Sequence, residues 1–173
     1  MDDLSLAQKG DKEAFSRLIG EVEIKLYKTA MAILKNDDDA CDAIQETLIS
    51  AYKKIDTLQT KEYFKTWIIR ILINKCYDMI RMNRKVVNIN ERLRENTENF
   101  YEMYCVESEL ESILKKIDSD LRTVTVLYYY DDLSINEIAN ILNIPDGTVK
   151  SRLSRARASI SKIYQIGGGE NIG

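Results

Sequence analysis

One proline in 173 residues, Pro145, and seven glycines, three of them adjacent at residues 167–169, leave this chain almost nothing with which to interrupt a helix. Its apolar residues recur at intervals of three and four, so the expected fold class is all-α. Phe15, Leu18, Ile19, Val22, Leu26, Ala30 and Ile33 predict one helix over residues 12–35, closed by a polar break at 36–38. Ala40, Ile44, Leu48, Ala51 and Tyr52 predict a second over 39–55. After a loop at 56–62, Phe64, Trp67, Ile68, Ile71, Cys76 and Met79 predict a third over 63–84, and the three together make a bundle. The one β-like run, residues 124–130, keeps helical spacing through Leu121, Val124, Leu127 and Tyr128 and is read as helix.

Residues 88–105 are polar, acidic and weakly periodic, the composition of a flexible linker. Beyond them four helices are expected, at 106–117, 121–130, 134–142 and 148–164. The predicted organisation is two small helical domains, residues 1–87 and 106–166, joined by that linker and followed by a flexible tail at 167–173.

Hydrophobic residues make up 45% of the chain, enough to bury a core. There is no apolar run of about 18 residues, and the Met-Asp-Asp start lacks the basic flank and apolar stretch of a signal peptide, so a cytosolic protein is expected. Cys41, Cys76 and Cys105 are widely spaced and no histidine exists to complete a zinc site with them, so they are read as reduced thiols. The lack of histidine also removes the commonest catalytic base, which counts against an enzyme.

A formal net charge of -3 hides an uneven distribution. Residues 61–85 carry Lys61, Lys65, Arg70, Lys75, Arg81, Arg84 and Lys85 against Glu62 and Asp78. Residues 148–173 carry Lys150, Arg152, Arg155, Arg157 and Lys162 against Glu170 alone. Two basic islands therefore stand in an acidic chain, and they attract phosphate where the stretch between them repels it.

Ser134-Ile135-Asn136-Glu137 has the form of a capping box, in which hydroxyl and carboxylate each bond a backbone donor at a helix start. The short helix it opens buries Ile138, Ala139, Ile141 and Leu142, breaks at Pro145 and Gly147, and passes into a helix with Val149, Leu153, Ala156, Ile160 and Ile163 inward. Two short helices about a tight turn form a helix-turn-helix, a docking unit of many DNA readers. On the second helix Lys150, Ser151, Ser154 and Arg155 face away from the core, where they can reach base edges, while Arg152 and Arg157 lie to the sides and suit a phosphate or a neighbouring acid.

In the first domain Arg70, Asn74, Arg81, Arg84 and Lys85 make a cationic stripe able to follow a phosphate backbone. The loop before it, residues 56–64, combines polar tips with Tyr63 and Phe64, a composition able to hold an unstacked base, although Tyr63, Phe64 and Trp67 also suit core packing. Asp39, Asp42, Gln45 and Glu46 share another helical face, which by itself reads as a solvated surface. Two rivals stay open on the residues alone: a free-standing dimeric repressor, and a bundle enzyme holding metal through Asp39, Asp42 and Glu46, which would ordinarily want Glu-x-x-His pairs.

In combination and order these motifs resemble the sigma-70 family of RNA polymerase sigma factors, in its extracytoplasmic-function group (group four). Asp39-Ala40-x-Asp42-x-x-Gln45-Glu46 is similar to the family's region 2.2, Trp67-x-x-x-Ile71-x-x-Asn74-x-x-x-Asp78-x-x-Arg81 to regions 2.3 and 2.4, and the run from Gly147 to Arg157 to region 4.2. The composition suits a sigma-V-like subgroup. The resemblance implies a promoter-specificity subunit with no cofactor and no catalysis. It gives the acidic stripe Asp39, Asp42, Gln45 and Glu46 a partner in the β′ clamp helices of core RNA polymerase, with the β flap as a further contact. It assigns the melted minus-ten element to Asp56, Thr57, Tyr63, Phe64, Lys65, Arg70, Asn74, Arg81, Arg84 and Lys85. It assigns the minus-35 duplex to Thr148, Lys150, Ser151, Arg152, Ser154, Arg155 and Arg157. It further implies an anti-sigma factor, often membrane-bound, that covers these surfaces until an envelope-stress signal releases it. Three positions depart from the family pattern: Asp118 stands where proline is usual, and Asp132 and Asn143 where glycines are common. Net acidity and one short basic helix per domain imply weak, salt-sensitive affinity for free DNA.

Overall fold

Several of the helices begin or end where a side chain or a backbone angle can terminate a hydrogen-bond ladder. The computed structural model describes the backbone at residues 2–87 and 109–168 and the side chains at residues 2–82 and 112–165. It divides into two helical units, Met1–Glu95 and Asn96–Gly173. The predicted linker at 88–105, Cys105, the side chains of Arg84 and Lys85, and the tail from residue 169 lie outside the described residues.

Unit 1 opens with α1 (Asp3–Gln8), a six-residue helix with no counterpart in the sequence reading. A helix so short does not persist in water, so tertiary contact must hold it. Leu4 and Ala7 are buried, and Asp3 pairs with Arg17 at 2.7 Å. That pairing draws the Asp3 carboxyl below its usual range, chiefly through the hydrogen bond from Arg17. The chain then turns at Gly10, whose φ of 92° lies in the region that favours glycine, and Asp11 caps α2 (Lys12–Gly20) by accepting from the N–H groups of Glu13 and Ala14.

The single helix predicted over 12–35 is two helices. Gly20, a poor helix former, ends α2, and Val22 steps out to φ −126° before α3 (Glu23–Leu34) begins. The break separates two packing duties: α2 lies on α1, whereas α3 packs on α4 and α5. Lys35 ends α3 in a left-handed conformation with φ 58°, and Asn36 caps α4 (Asp37–Lys54) by accepting from the N–H of Asp39 at 2.9 Å.

The buried face of α4 is centred on Ala40, Ala43, Thr47 and Ala51, not on Ile44, Leu48 and Tyr52, which are half-buried. Small side chains let α3 and α5 approach closely, and Thr47 satisfies its buried hydroxyl by donating to the Ala43 carbonyl. On α5 (Phe64–Val87) the buried stripe is Phe64, Ile68, Ile69, Leu72, Ile73 and Cys76. Trp67, Ile71 and Met79, read as inward, flank it half-exposed. A wide stripe of branched residues fills the space against α3 and α4, and the indole is left at its edge, tilted against Phe64 with ring centroids 6.1 Å apart.

Unit 2 consists of α6 (Glu109–Lys116), α7 (Ser119–Thr125), α8 (Ile135–Leu142) and α9 (Asp146–Gly168). The last turn after α7, Val126–Tyr130, widens to i→i+5 bonding, closed by the Asp131 N–H on the Val126 carbonyl at 3.0 Å. Ile117, Leu121 and Ala156 form a core cluster with Leu114, Ile160 and Ile163 against it. Arg122 lies inside this unit at 2% exposure, where its Nη1 donates to the carbonyls of Leu114 (3.3 Å) and Ile117 (3.1 Å). It thereby covers the C-terminal end of α6, whose last carbonyls lack helical partners.

The three departures from the family pattern have backbone explanations. Asp132 (φ 55°) and Asn143 (φ 53°) are left-handed, so glycine's usual places are taken by two of the few other residues that tolerate this region. Asp118 precedes α7 with φ −55°, an angle that proline also adopts. Ser134 and Glu137 form the predicted capping box, with the Ser134 N–H on Glu137 Oε2 at 2.8 Å and the Glu137 N–H on Ser134 Oγ at 3.2 Å. Gly147, expected in the turn, sits in the first turn of α9; the chain reverses at Asn143–Pro145, and the Pro145 carbonyl accepts from Thr148 and Val149.

Candidate functional surfaces

On α9, Val149, Leu153 and Ala156 are buried, which turns Lys150, Ser151, Ser154 and Arg155 outward. These four are exposed on the N-terminal half of the helix, and Thr148 beside them is half-buried. Ser151 donates its hydroxyl proton to the Thr148 carbonyl at 3.0 Å, leaving its oxygen lone pairs to accept from a ligand. Arg152 turns to Asp120 in an ion pair at 2.5 Å. Arg157 donates to the Tyr129 hydroxyl at 3.1 Å, a neutral partner that orients the guanidinium without cancelling its charge. Tyr129 stands edge-on to Tyr128 and is itself exposed. No sequence signal separated it from an ordinary interior tyrosine of the preceding helix.

In unit 1 the acidic face of α4 sorts into spent and available groups. Asp37 accepts from the Tyr27 hydroxyl at 2.7 Å, and Asp39 is half-buried at the helix start. Asp42, Gln45 and Glu46 are exposed. Glu46 reaches Lys75 of α5 at 3.4 Å, an exposed pair of small worth. An open groove beside it is lined by Glu46, Lys75, Asp78, Met79, Arg81 and Met82. Met82 is 67% exposed, so the groove adds an adaptable apolar element to a charged face. Met82 was not singled out from sequence because a methionine near a helix end carries no periodic signal.

The loop between α4 and α5 consists of two tight helical turns, Ile55–Thr57 and Lys61–Tyr63. Ile55 and Leu58 anchor it in the core, while Asp56, Thr57 and Tyr63 are outside, Tyr63 at 64% exposure. Thr57 donates to the Lys54 carbonyl at 2.7 Å. Phe64 does not join this outer group: at 2% exposure it is a core residue, and its role as a base-holding side chain is withdrawn. Lys65 is half-buried, Arg70 and Asn74 are exposed, and Arg81 is turned toward Asp78 at 2.5 Å. Half-exposed Trp67 lies one helical turn before Arg70 and Ile71 and so becomes an aromatic neighbour of the stripe. Among the described residues no group of three or more Cys, Asp or Glu is close enough to hold a metal ion, so Asp39, Asp42 and Glu46 do not converge on one. No helix among them is long and apolar enough to cross a membrane.

Two family models match successive parts of the chain. The Sigma-70 region 2 family model matches residues 18–86, and the Sigma-70, region 4 model matches residues 107–160. The chain is 34% identical over 172 residues to the ECF RNA polymerase sigma factor SigW of Bacillus subtilis, covering 90% of this chain and 91% of that one. It is 30% identical over 130 residues to the RNA polymerase sigma factor SigV of the same organism, covering 75% and 78%. Among solved structures it is similar to the sigma factor RpoE of Bartonella quintana, crystallised with the anti-sigma factor NepR, with a TM-score of 0.73, 26% identity, and coverage of 88% and 97%. The chain therefore belongs to the sigma-70 family as an extracytoplasmic-function sigma factor, a transcription-initiation factor and not an enzyme.

Proposed function

We propose that this sigma factor binds core RNA polymerase through the exposed acidic face of α4, with Asp42, Gln45 and Glu46 as principal contacts and Asp39 at their edge. The adjacent surface takes the melted minus-ten element, through Asp56, Thr57 and Tyr63 on the loop and Lys65, Arg70, Asn74 and Arg81 on α5, and the sequence adds Arg84 and Lys85 to this set. Single-stranded bases stack on aromatic faces while cations follow the phosphates, and exposed Tyr63 with half-exposed Trp67 supply the former. Unit 2 reads the minus-35 duplex: Lys150, Ser151, Ser154 and Arg155 address base edges, and Thr148, Arg152 and Arg157 address the backbone.

The observation that carries this reading is the outward set on α9. Four polar or cationic side chains share the exposed face of a helix whose opposite face is locked into the core, and the two arginines beside it have their own side-chain partners. The structural likeness to a sigma factor crystallised with an anti-sigma factor supports a similar inhibitor for this chain, which covers the same surfaces in the cytoplasm or at the membrane.

The test is in vitro transcription with core polymerase alone, with the protein, and with Asp42→Lys and Glu46→Lys variants shown by circular dichroism to be folded. Promoter-specific initiation is expected with the wild type, with loss in both variants and the larger loss in Asp42→Lys, because Glu46 already shares its charge with Lys75. Failure to initiate from any promoter of a genomic library, with protection of palindromic DNA by the protein alone, would replace this reading with a dimeric repressor.

A further inference from the structure

The loop proposed to receive the minus-ten strand has its shape set by a residue nearly fifty positions earlier. The Gln8 side chain leaves the end of α1 and points its amide nitrogen at two loop carbonyls, Ile55 O at 3.1 Å and Leu58 O at 2.7 Å. With two carbonyl acceptors facing it, only the NH2 end of the carboxamide can bond there, and both of its protons are used. The two carbonyls are three residues apart and bracket the first tight turn, in which the Leu58 N–H also bonds the Ile55 carbonyl at 3.2 Å. One planar group thus holds the curvature of the turn from outside it.

The rest of the N-terminal segment stiffens this contact. Tyr52, at the end of α4, donates its hydroxyl to the Gly10 carbonyl at 3.3 Å, tying the turn after α1 back to the helix that leads into the loop. At the far end of the loop Lys61 pairs with Glu21 at 2.8 Å, at the α2–α3 break. Ile55 and Leu58 point into the core, leaving Asp56, Thr57, Gln59 and Thr60 exposed between the two ties. A loop tethered at both ends has lost its conformational freedom during folding, so less ordering remains to oppose capture of a flexible strand.

We propose that α1 is a latch on the promoter-facing loop and that Gln8 is its positioning residue, which acts through the loop and does not touch DNA. The proposal rests on the minus-ten reading of that loop. It accounts for a short helix held at the N-terminal side of the bundle, and for an exposed glutamine that directs its amide to two backbone carbonyls.

The test compares Gln8→Met, which keeps the length of the side chain and removes both donors, with Tyr63→Ala on the loop itself, in complete holoenzyme. Three quantities are read: affinity for core polymerase, permanganate reactivity of the melted minus-ten region, and discrimination between the cognate minus-ten sequence and single-base substitutions. Gln8→Met is expected to reduce melting and discrimination by about tenfold, the scale of one to two hydrogen bonds, with core affinity within about twofold of wild type. Core affinity falling in parallel with melting would mark Gln8 as a general stabiliser of the bundle and overturn the latch. Loss of discrimination in Tyr63→Ala but not in Gln8→Met would overturn the latch and leave the loop's assignment standing. No effect of either variant, in a holoenzyme that still initiates, would overturn both the loop's assignment and the latch.

Discussion

The α9 face and the loop between α4 and α5 are both assigned to DNA, and they are built in opposite ways. The polar groups that orient α9 lie near it in sequence: the capping box at Ser134, the left-handed Asn143, and the Asp120 and Tyr129 partners of its arginines, 32 and 28 positions away, while its apolar set Val149, Leu153 and Ala156 follows the period of the helix itself. The loop takes its shape from Gln8 and Glu21, which are 50 and 40 positions from their partners Leu58 and Lys61. A regular helix carries its side-chain directions in its own geometry, whereas an irregular loop has none until something distant holds it.

The contrast would break if unit 2 stood or fell with unit 1, and Arg122 gives the largest test. Arg122→Ala should destabilise unit 2 by about 3 kcal/mol, because it removes the side-chain donor to the Ile117 carbonyl, leaves the Leu114 carbonyl only its bond from the Ile117 N–H, and opens a cavity. In urea titration followed by tyrosine fluorescence and circular dichroism, the unit 1 transition, reported by Trp67, should not move. A shift of both would show that the units are energetically coupled.

Backbone angles sharpen the same comparison at a smaller scale. Asn143→Ala should cost about 1–2 kcal/mol, since alanine lacks asparagine's tolerance of the left-handed region. Lys35→Gly, at the equivalent end of α3, should stabilise unit 1 by about 1 kcal/mol for the same reason. Equal and negligible shifts in thermal unfolding would refute both.

Gly147 separates stability from function. Its backbone is helical and a Cβ there would meet nothing within 4 Å, so the fold does not require glycine. Gly147→Ala should stabilise α9 by roughly 0.5–1 kcal/mol. If minus-35 binding nevertheless weakens, the glycine serves the close approach of DNA; if binding is unchanged, it serves neither.

The smallest effect at neutral pH concerns the thiols. Burial pushes the Cys76 thiol up to about 12, while Cys41, half-buried beside Asp37, Asp38 and Asp42, is raised by burial and by those carboxylates. Iodoacetamide at pH 8 should label Cys41 before Cys76, as mass spectrometry of the peptides would record. A thiol whose folded pKa is raised costs nothing while it stays protonated in both states. Its contribution to stability is therefore complete below the ordinary thiol range and lost as pH rises from about 9 toward 12. Equal labelling of the two cysteines in the native state would contradict the burial.

The helix-turn-helix, its capping box and its outward residues were legible because each depends on spacing within one or two turns. The same logic misplaced the inner faces of α4 and α5. A 3.6-residue period fits two overlapping stripes when most residues of a helix are apolar, and only the packing partners choose between them. Trp67 moved from core to edge on that choice, while Phe64, read both as inward and as a base-holding residue, is in the core. Helix α1 and the α2–α3 break escaped detection because six residues give too little periodicity and the break leaves the hydrophobic register nearly continuous.

By itself the sequence determined an all-helical chain in two parts, the basic helix of the second part, and the family to which their order belongs. These follow from short-range stereochemistry and from side-chain character, which are written residue by residue. Tertiary structure alone decided which charges remain outward, as between Asp42 and Asp37, and that Arg122 is interior. It also decided that Gln8 bonds a loop 47–50 residues away. Those outcomes depend on which groups meet after the chain has closed on itself, and no local pattern encodes a partner that far along it.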